Sequence, residues 1–302
     1  MTVTQSSRIW IQDVYLGAQV FSNLNRNSST LTRFMSSFIF TLGLLISSVH
    51  SVTARGCTTD GLLRYAAEYV ESLQTGKLHA DFASTTYWEN NKTVSTTGPP
   101  LKWGGLKIDH NRTIVDQEQC ATYTEIISTS PSPGYVIGTQ IRMLIHPEDG
   151  YTPTLVDSIV TSKGDWQFNA SKSLSLVTGE NWDTLPTEKR VDRITLEKAA
   201  DAYLDLWTNK SAAVPWGYPC ARMEGSAYTA KGKPDDSCSV GIPAGGQPAN
   251  TDRRYVTDVT VGSVSVLCKF GSMKSGAPDS HEFRLESGKL RYVHTMTVMT
   301  AK

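Results

Sequence analysis

The sequence predicts an α+β chain built as a tandem pair of units, each a curved antiparallel sheet packed on helices. Two observations carry that prediction. A helical segment followed by several long alternating strands occurs twice, and helix first with antiparallel strands after is an α+β order. The two helical segments also resemble each other, AAEYVESLQTGK at 66–77 against AADAYLDLWTNK at 199–210. With 302 residues, 39% of them hydrophobic and 19% charged, the chain is long enough to bury a core in each unit.

Residues 1–34 are polar and unpatterned, and read as a dispensable leader with translation starting at Met35. The apolar run FIFTLGLLISSV at 38–49 follows Arg33 and precedes Val52-Thr53-Ala54. Small residues there suit cleavage, so 35–54 reads as a signal peptide. The alternative, a membrane anchor, needs about 20 apolar residues. The expected location is therefore the secretory pathway, either secreted or in a vesicular lumen.

The first unit is placed at 55–165. Thr59 is the expected cap of a helix with Leu62, Ala66, Tyr69, Val70 and Leu73 on its apolar face, ended by Gly76. Strands follow at CATYTEIIS, YVIGTQIRMLIH and TLVDSIVTS. Residues 166–193 hold turn residues and two tryptophans and read as an ordered connector. The second unit, 194–302, opens with a helix capped by Thr195 and carrying Leu196, Ala199, Ala200, Tyr203 and Leu206. Strands RRYVTDV and SVSVLCKF and a final hairpin complete it. Aromatics at Tyr87, Trp88, Trp103, Trp216 and Tyr218 follow the helices and suit either core packing or a pocket lining.

An oxidising compartment favours cysteine pairing, and five cysteines leave one over. Cys220 and Cys238 bracket a Gly/Pro/Asp-rich loop whose closure contributes roughly 3 kcal/mol. Cys268 shares the Val264, Val266 and Phe270 face of its strand as a buried thiol, leaving Cys57 with Cys120. Asn91, Asn111, Asn169 and Asn209 each begin an Asn-x-Ser/Thr glycosylation sequon.

The final hairpin supplies the candidate chemistry. Ser287-Gly288 is a two-residue turn signal. Regular pairing then sets Glu286 against Lys289, Leu285 against Leu290, Phe283 against Tyr292, and His281 against His294. Two imidazoles at roughly 5 Å would repel by about 3 kcal/mol if both were charged at an effective dielectric near 20. They would titrate as a coupled pair, offering an acid beside a base. Tyr292 on the same face is placed to donate to an oxyanion. The alternative is a pair of hydrogen-bonded core histidines. Arg222 and Glu224, at i and i+2, share a strand face. They suit either a carbonyl or carboxylate ligand, with Trp216 nearby, or an internal ion pair bracing the disulfide loop. Asp258 is a further substrate-binding candidate.

A formal net charge of +0 excludes a basic nucleic-acid footprint. There is no G-x-S-x-G elbow, H-E-x-x-H or C-x-x-C motif, P-loop or post-strand G-x-G-x-x-G, so no metal and no cofactor are expected. His146 precedes a Pro-Glu-Asp-Gly turn instead of belonging to a metal cluster.

PWGYPCARMEG at 215–225, RRYVTDV at 253–259 and PDSHEFRLESGKLRYVHT at 278–295 resemble a family of fungal secretory proteins of unassigned function, allied to the NTF2-like and SnoaL-like cone folds. Ser226 stands where the resemblance leads one to expect a second glycine. The resemblance covers roughly 57–302 and implies a cone fold, in which a pocket between sheet and helices serves cofactor-free isomerases, dehydratases or cyclases, or simply binds. Such units commonly pair through their sheets, which makes a homodimer one partner expectation. Two functions follow as expectations. One is a cofactor-independent isomerase, cyclase or dehydratase, pericyclic reactions included, acting on a small apolar secondary metabolite. The other is a non-catalytic secreted protein that binds a metabolite or a surface partner. Neither involves nucleic acid or stable membrane insertion after signal cleavage.

Overall fold

A computed structural model describes residues 56–94, 105–146, 150–243, 245–273 and 276–299. The leader, signal peptide and cleavage site, and Trp103, lie outside them. Among the described residues, three α-helices and two six-stranded sheets form one compact unit.

Helix α1 (Thr59–Thr75) is capped by Thr58, whose hydroxyl accepts the Gly61 amide, not by Thr59 as the sequence suggested. It ends at Gly76, whose φ of 73° requires the left-handed conformation that glycine tolerates best. The first sheet follows as β1 (Thr86–Glu89), β2 (Lys92–Val94), β3 (Lys107–Asp116), β4 (Ala121–Ser130), β5 (Tyr135–His146) and β6 (Gly150–Thr161). The connector holds helix α2 (Ala170–Val177), which its serine-rich sequence concealed. Helix α3 (Arg193–Asp205) starts earlier than expected because Asp192, not Thr195, is its cap: the Asp192 carboxylate accepts the Thr195 amide at 2.7 Å. The second sheet comprises β7 (Trp216–Glu224), β8 (Ala227–Tyr228), β9 (Thr251–Asp258), β10 (Ser263–Phe270), β11 (Ala277–Glu286) and β12 (Lys289–Thr297).

The two sheets repeat one plan. Their strand orders are β2-β1-β6-β5-β4-β3 and β8-β7-β12-β11-β10-β9. In each, the first strand pairs parallel with the last and the remaining neighbours are antiparallel. The sheets are therefore mixed, which corrects the purely antiparallel expectation; the early strand β1 or β7 lies beside the final strand, with short β2 or β8 at the edge.

Three cores fill the layers. Leu62, Tyr69, Leu73, Ile126, Ile137 and Ile141 lie between α1 and the first sheet. Leu196, Ala200, Tyr203, Val264, Val266 and Phe283 lie between α3 and the second. Tyr123, Ile127, Ile159, Val256, Leu267 and Met296 join the two sheets face to face, with Ala170 and Val177 of α2 packed alongside. Most central strands thus bury both faces, and all but the last two residues of β4 are buried. Both expected disulfides are present, Cys57–Cys120 and Cys220–Cys238 with Cα separations of 5.4 and 5.2 Å, and Cys268 is a free, buried thiol.

Candidate functional site

The Ser287-Gly288 turn has positive φ at both residues (50° and 74°), as a tight hairpin requires. Glu286–Lys289 and Leu285–Leu290 pair as expected, but a bulge at Arg291 then shifts the register. Arg284 opposes Tyr292, Phe283 opposes Val293, Glu282 opposes His294 and His281 opposes Thr295. A slip of one residue sends side chains to the opposite face. His281 accordingly faces α3, while His294 and Tyr292 face the first sheet. The two imidazoles do not meet, and the paired acid/base expectation is corrected. Leu290 and Val293 both serve the α3 core, so the bulge keeps both apolar side chains buried.

His294 instead occupies a charged layer between the sheets. Its Nδ1 lies 2.7 Å from Glu125 Oε1 on β4, and its Nε2 lies 2.6 Å from Glu180 Oε2 in the connector. Arg112 of β3 donates to both oxygens of Glu282 at 2.6 and 2.8 Å and to Glu125 at 3.0 Å, and its guanidinium lies 3.6 Å from the Trp182 ring centroid. Ser263 also donates to Glu282. Burial alone would disfavour a charged His294, but Glu125 and Glu180 outweigh it and push the imidazolium up to about 10. Burial likewise opposes the charge on both carboxylates, yet His294, joined at Glu125 by Arg112, holds them below the usual carboxylate range. A ring that keeps its proton across neutral pH cannot act there as a general base.

Glu180 also connects this layer to the surface. It accepts hydrogen bonds from Tyr228 and Trp182 at 2.7 and 2.8 Å, and it lines a cleft of about 480 Å³ beside the Cys220–Cys238 loop. Burial and then Glu180 raise the Tyr228 phenol. Tyr292 lines the same cleft, stacks on Trp182 at 5.4 Å and accepts the Asn181 amide at 3.5 Å. Lys233, Asp236 and Arg291 complete its charged lining. Sequence reasoning named Tyr292, and Arg291 as an outer-face contact residue of the binding alternative, but missed Glu180, Tyr228 and Lys233, which only the register and the loop path bring together.

The other candidates have structural partners. Arg222 pairs with Glu224 at 3.0 Å and donates to Val240 O at 2.7 Å, just past Cys238, the bracing role weighed above. Glu224 also accepts from Trp166. Asp258 accepts the Val115 amide across the sheets and the Thr260 amide in its own turn. Trp216 packs edge-on against Tyr203 at 5.8 Å. His281 stacks on Phe283 and contacts Tyr203, Trp207 and Phe270. Its Nδ1 lies 2.7 Å from Asp279 without hydrogen-bond alignment. Asp279 also accepts from Thr297 and lies 3.7 Å from the Cys268 sulfur. Donor atoms of Cys268, Asp279 and His281 lie within 4.8 Å of one another, as do those of Glu125, Glu282 and His294. Of the two sets, the first offers the N, O and S donors that a zinc-like ion takes.

The family described as "Domain of unknown function (DUF8021)" matches residues 189–297. That stretch contains α3 and the whole second sheet. No curated protein and no solved structure matches the chain.

Proposed function

We propose that this chain is a secretory-pathway binding protein built from two NTF2-like cone units, and that it holds a small organic ligand in the cleft beside the Cys220–Cys238 loop. The repeated strand order, each sheet with its helix, supports the cone reading. The two disulfides fit passage through an oxidising compartment. The observation that carries binding over catalysis is the fixed state of His294: its ring is charged and bonded at both nitrogens. The cleft has the size and mixed lining of a ligand pocket.

An NMR screen of small organic compounds tests this reading. Hits should shift the Ala221, Ala230 and Tyr228 resonances and be abolished by Ala230→Trp, which fills the cleft. Hits that map beneath α3 around His281 would overturn it. They would favour the second reading, a cofactor-free isomerase or dehydratase, whose supporting observation is the buried Asp279–His281 pair enclosed by aromatic rings.

A further inference from the structure

We infer that the cleft ligand is an organic anion with a flat ring, its acid group held by Lys233 and Arg291 and its ring laid against Tyr228 and the edge of Tyr292. This rests on the binding reading of the same cleft. Both cations line it, and among the described residues neither has a carboxylate within ion-pair distance. The two carboxylates of the wall are already engaged. Asp236 accepts the Lys231 and Lys233 amides at 2.6 and 3.1 Å, and Glu180 is matched by His294, Tyr228 and Trp182. The four charges of the wall sum to zero, but both carboxylates already accept hydrogen bonds while neither cation is paired with a carboxylate, so the groups left to meet a ligand are the two cations, which favours an anion.

The rim is also preorganised. Asp236 fixes the turn that carries Lys233, its carbonyl accepts the Cys220 amide at 2.8 Å, and Cys220 is tied to Cys238. Arg291 is held with its guanidinium 4.2 Å from the Tyr292 ring centroid, displayed there by the bulge that displaced the histidines. A carboxylate, sulfonate or phenolate would meet an ammonium and a planar guanidinium fork at the mouth. The Tyr228 ring, the Tyr292 edge and nearby alanines would take the ring.

Isothermal titration with 2-naphthoate and its neutral isostere 2-naphthamide tests the inference. Naphthoate should bind roughly tenfold or more tighter, as loss of a charge-assisted hydrogen bond implies, and the preference should shrink with added salt. Lys233→Gln with Arg291→Gln should erase the preference. Lys233→Gln alone, at an exposed turn position, should reduce it and provides a readout if the β12 substitution disturbs folding. Equal or tighter binding of the amide would overturn the anion class while leaving the cleft as a binding site. Binding of neither probe at millimolar concentration would overturn both.

Discussion

Arg112 lies in the interior between two carboxylates, so its removal leaves charge without a partner. Arg112→Met should cost about 3–5 kcal/mol in urea unfolding, because Glu282 loses two hydrogen bonds and Glu125 one. Adding Glu282→Met should recover much of that loss, since apolar groups can replace a buried pair at little cost. Failure of the second substitution to recover stability would show that Glu282 has another essential partner. The pH dependence follows from His294. Its folded value, about 10, lies above the unfolded value of about 6.5. Its stabilisation is therefore complete below 6.5 and lost as pH rises toward 10. Glu125 and Glu180 are lowered, so their contribution is present above the ordinary glutamate value and lost on acidification. The wild type should lose stability steadily between pH 6.5 and 10, and His294→Gln should flatten that decline.

Among the elements, those dominated by pattern could be read from sequence and those set by long-range contacts could not. YVIGTQIRMLIH and SVSVLCKF match β5 and β10 end to end, because alternation and turn residues bounded them. β3 was missed: it is a polar edge strand whose Arg112 pairs with Glu282 on the other sheet as well as with Glu125 on neighbouring β4. The hairpin turn and its first two pairs were correct, but turn chemistry does not report a bulge. The available signal was parity, since Leu290 and Val293 are apolar at opposite phases. Replacing Cys220 and Cys238 by alanine should lower stability by roughly 3 kcal/mol and weaken cleft binding, because the loop carries Lys233. The sequons differ in the same local way. Both ends of the Asn91 amide are engaged, by Arg254 and by Cys268 O, whereas Asn111, Asn169 and Asn209 are exposed. Glycopeptide mapping of secreted protein should find Asn91 unmodified; a glycan there would contradict the placement of that side chain.

For the whole molecule, each sheet covers the face of the other that lies away from its own helix. The tandem layout was visible in the helix repeat, whereas the face-to-face packing was not, because Glu125, Glu282 and Arg112 look like surface residues in sequence. Residues 187–302 expressed alone would expose His294, Glu282, Met296 and Val298. That fragment should self-associate or lack cooperative unfolding, as sedimentation and thermal denaturation would reveal. A monomeric, cooperatively folding fragment would show that the inter-sheet layer is dispensable. The account depends most on the charge state of that layer, because a locked imidazolium is what moves the functional reading from acid/base chemistry to ligand binding. The decisive measurement is a ¹⁵N NMR titration of the histidine rings. His294 should remain doubly protonated through neutral pH and release its proton only near 10; titration near 6.5 or below would restore it as a candidate base and contradict the account.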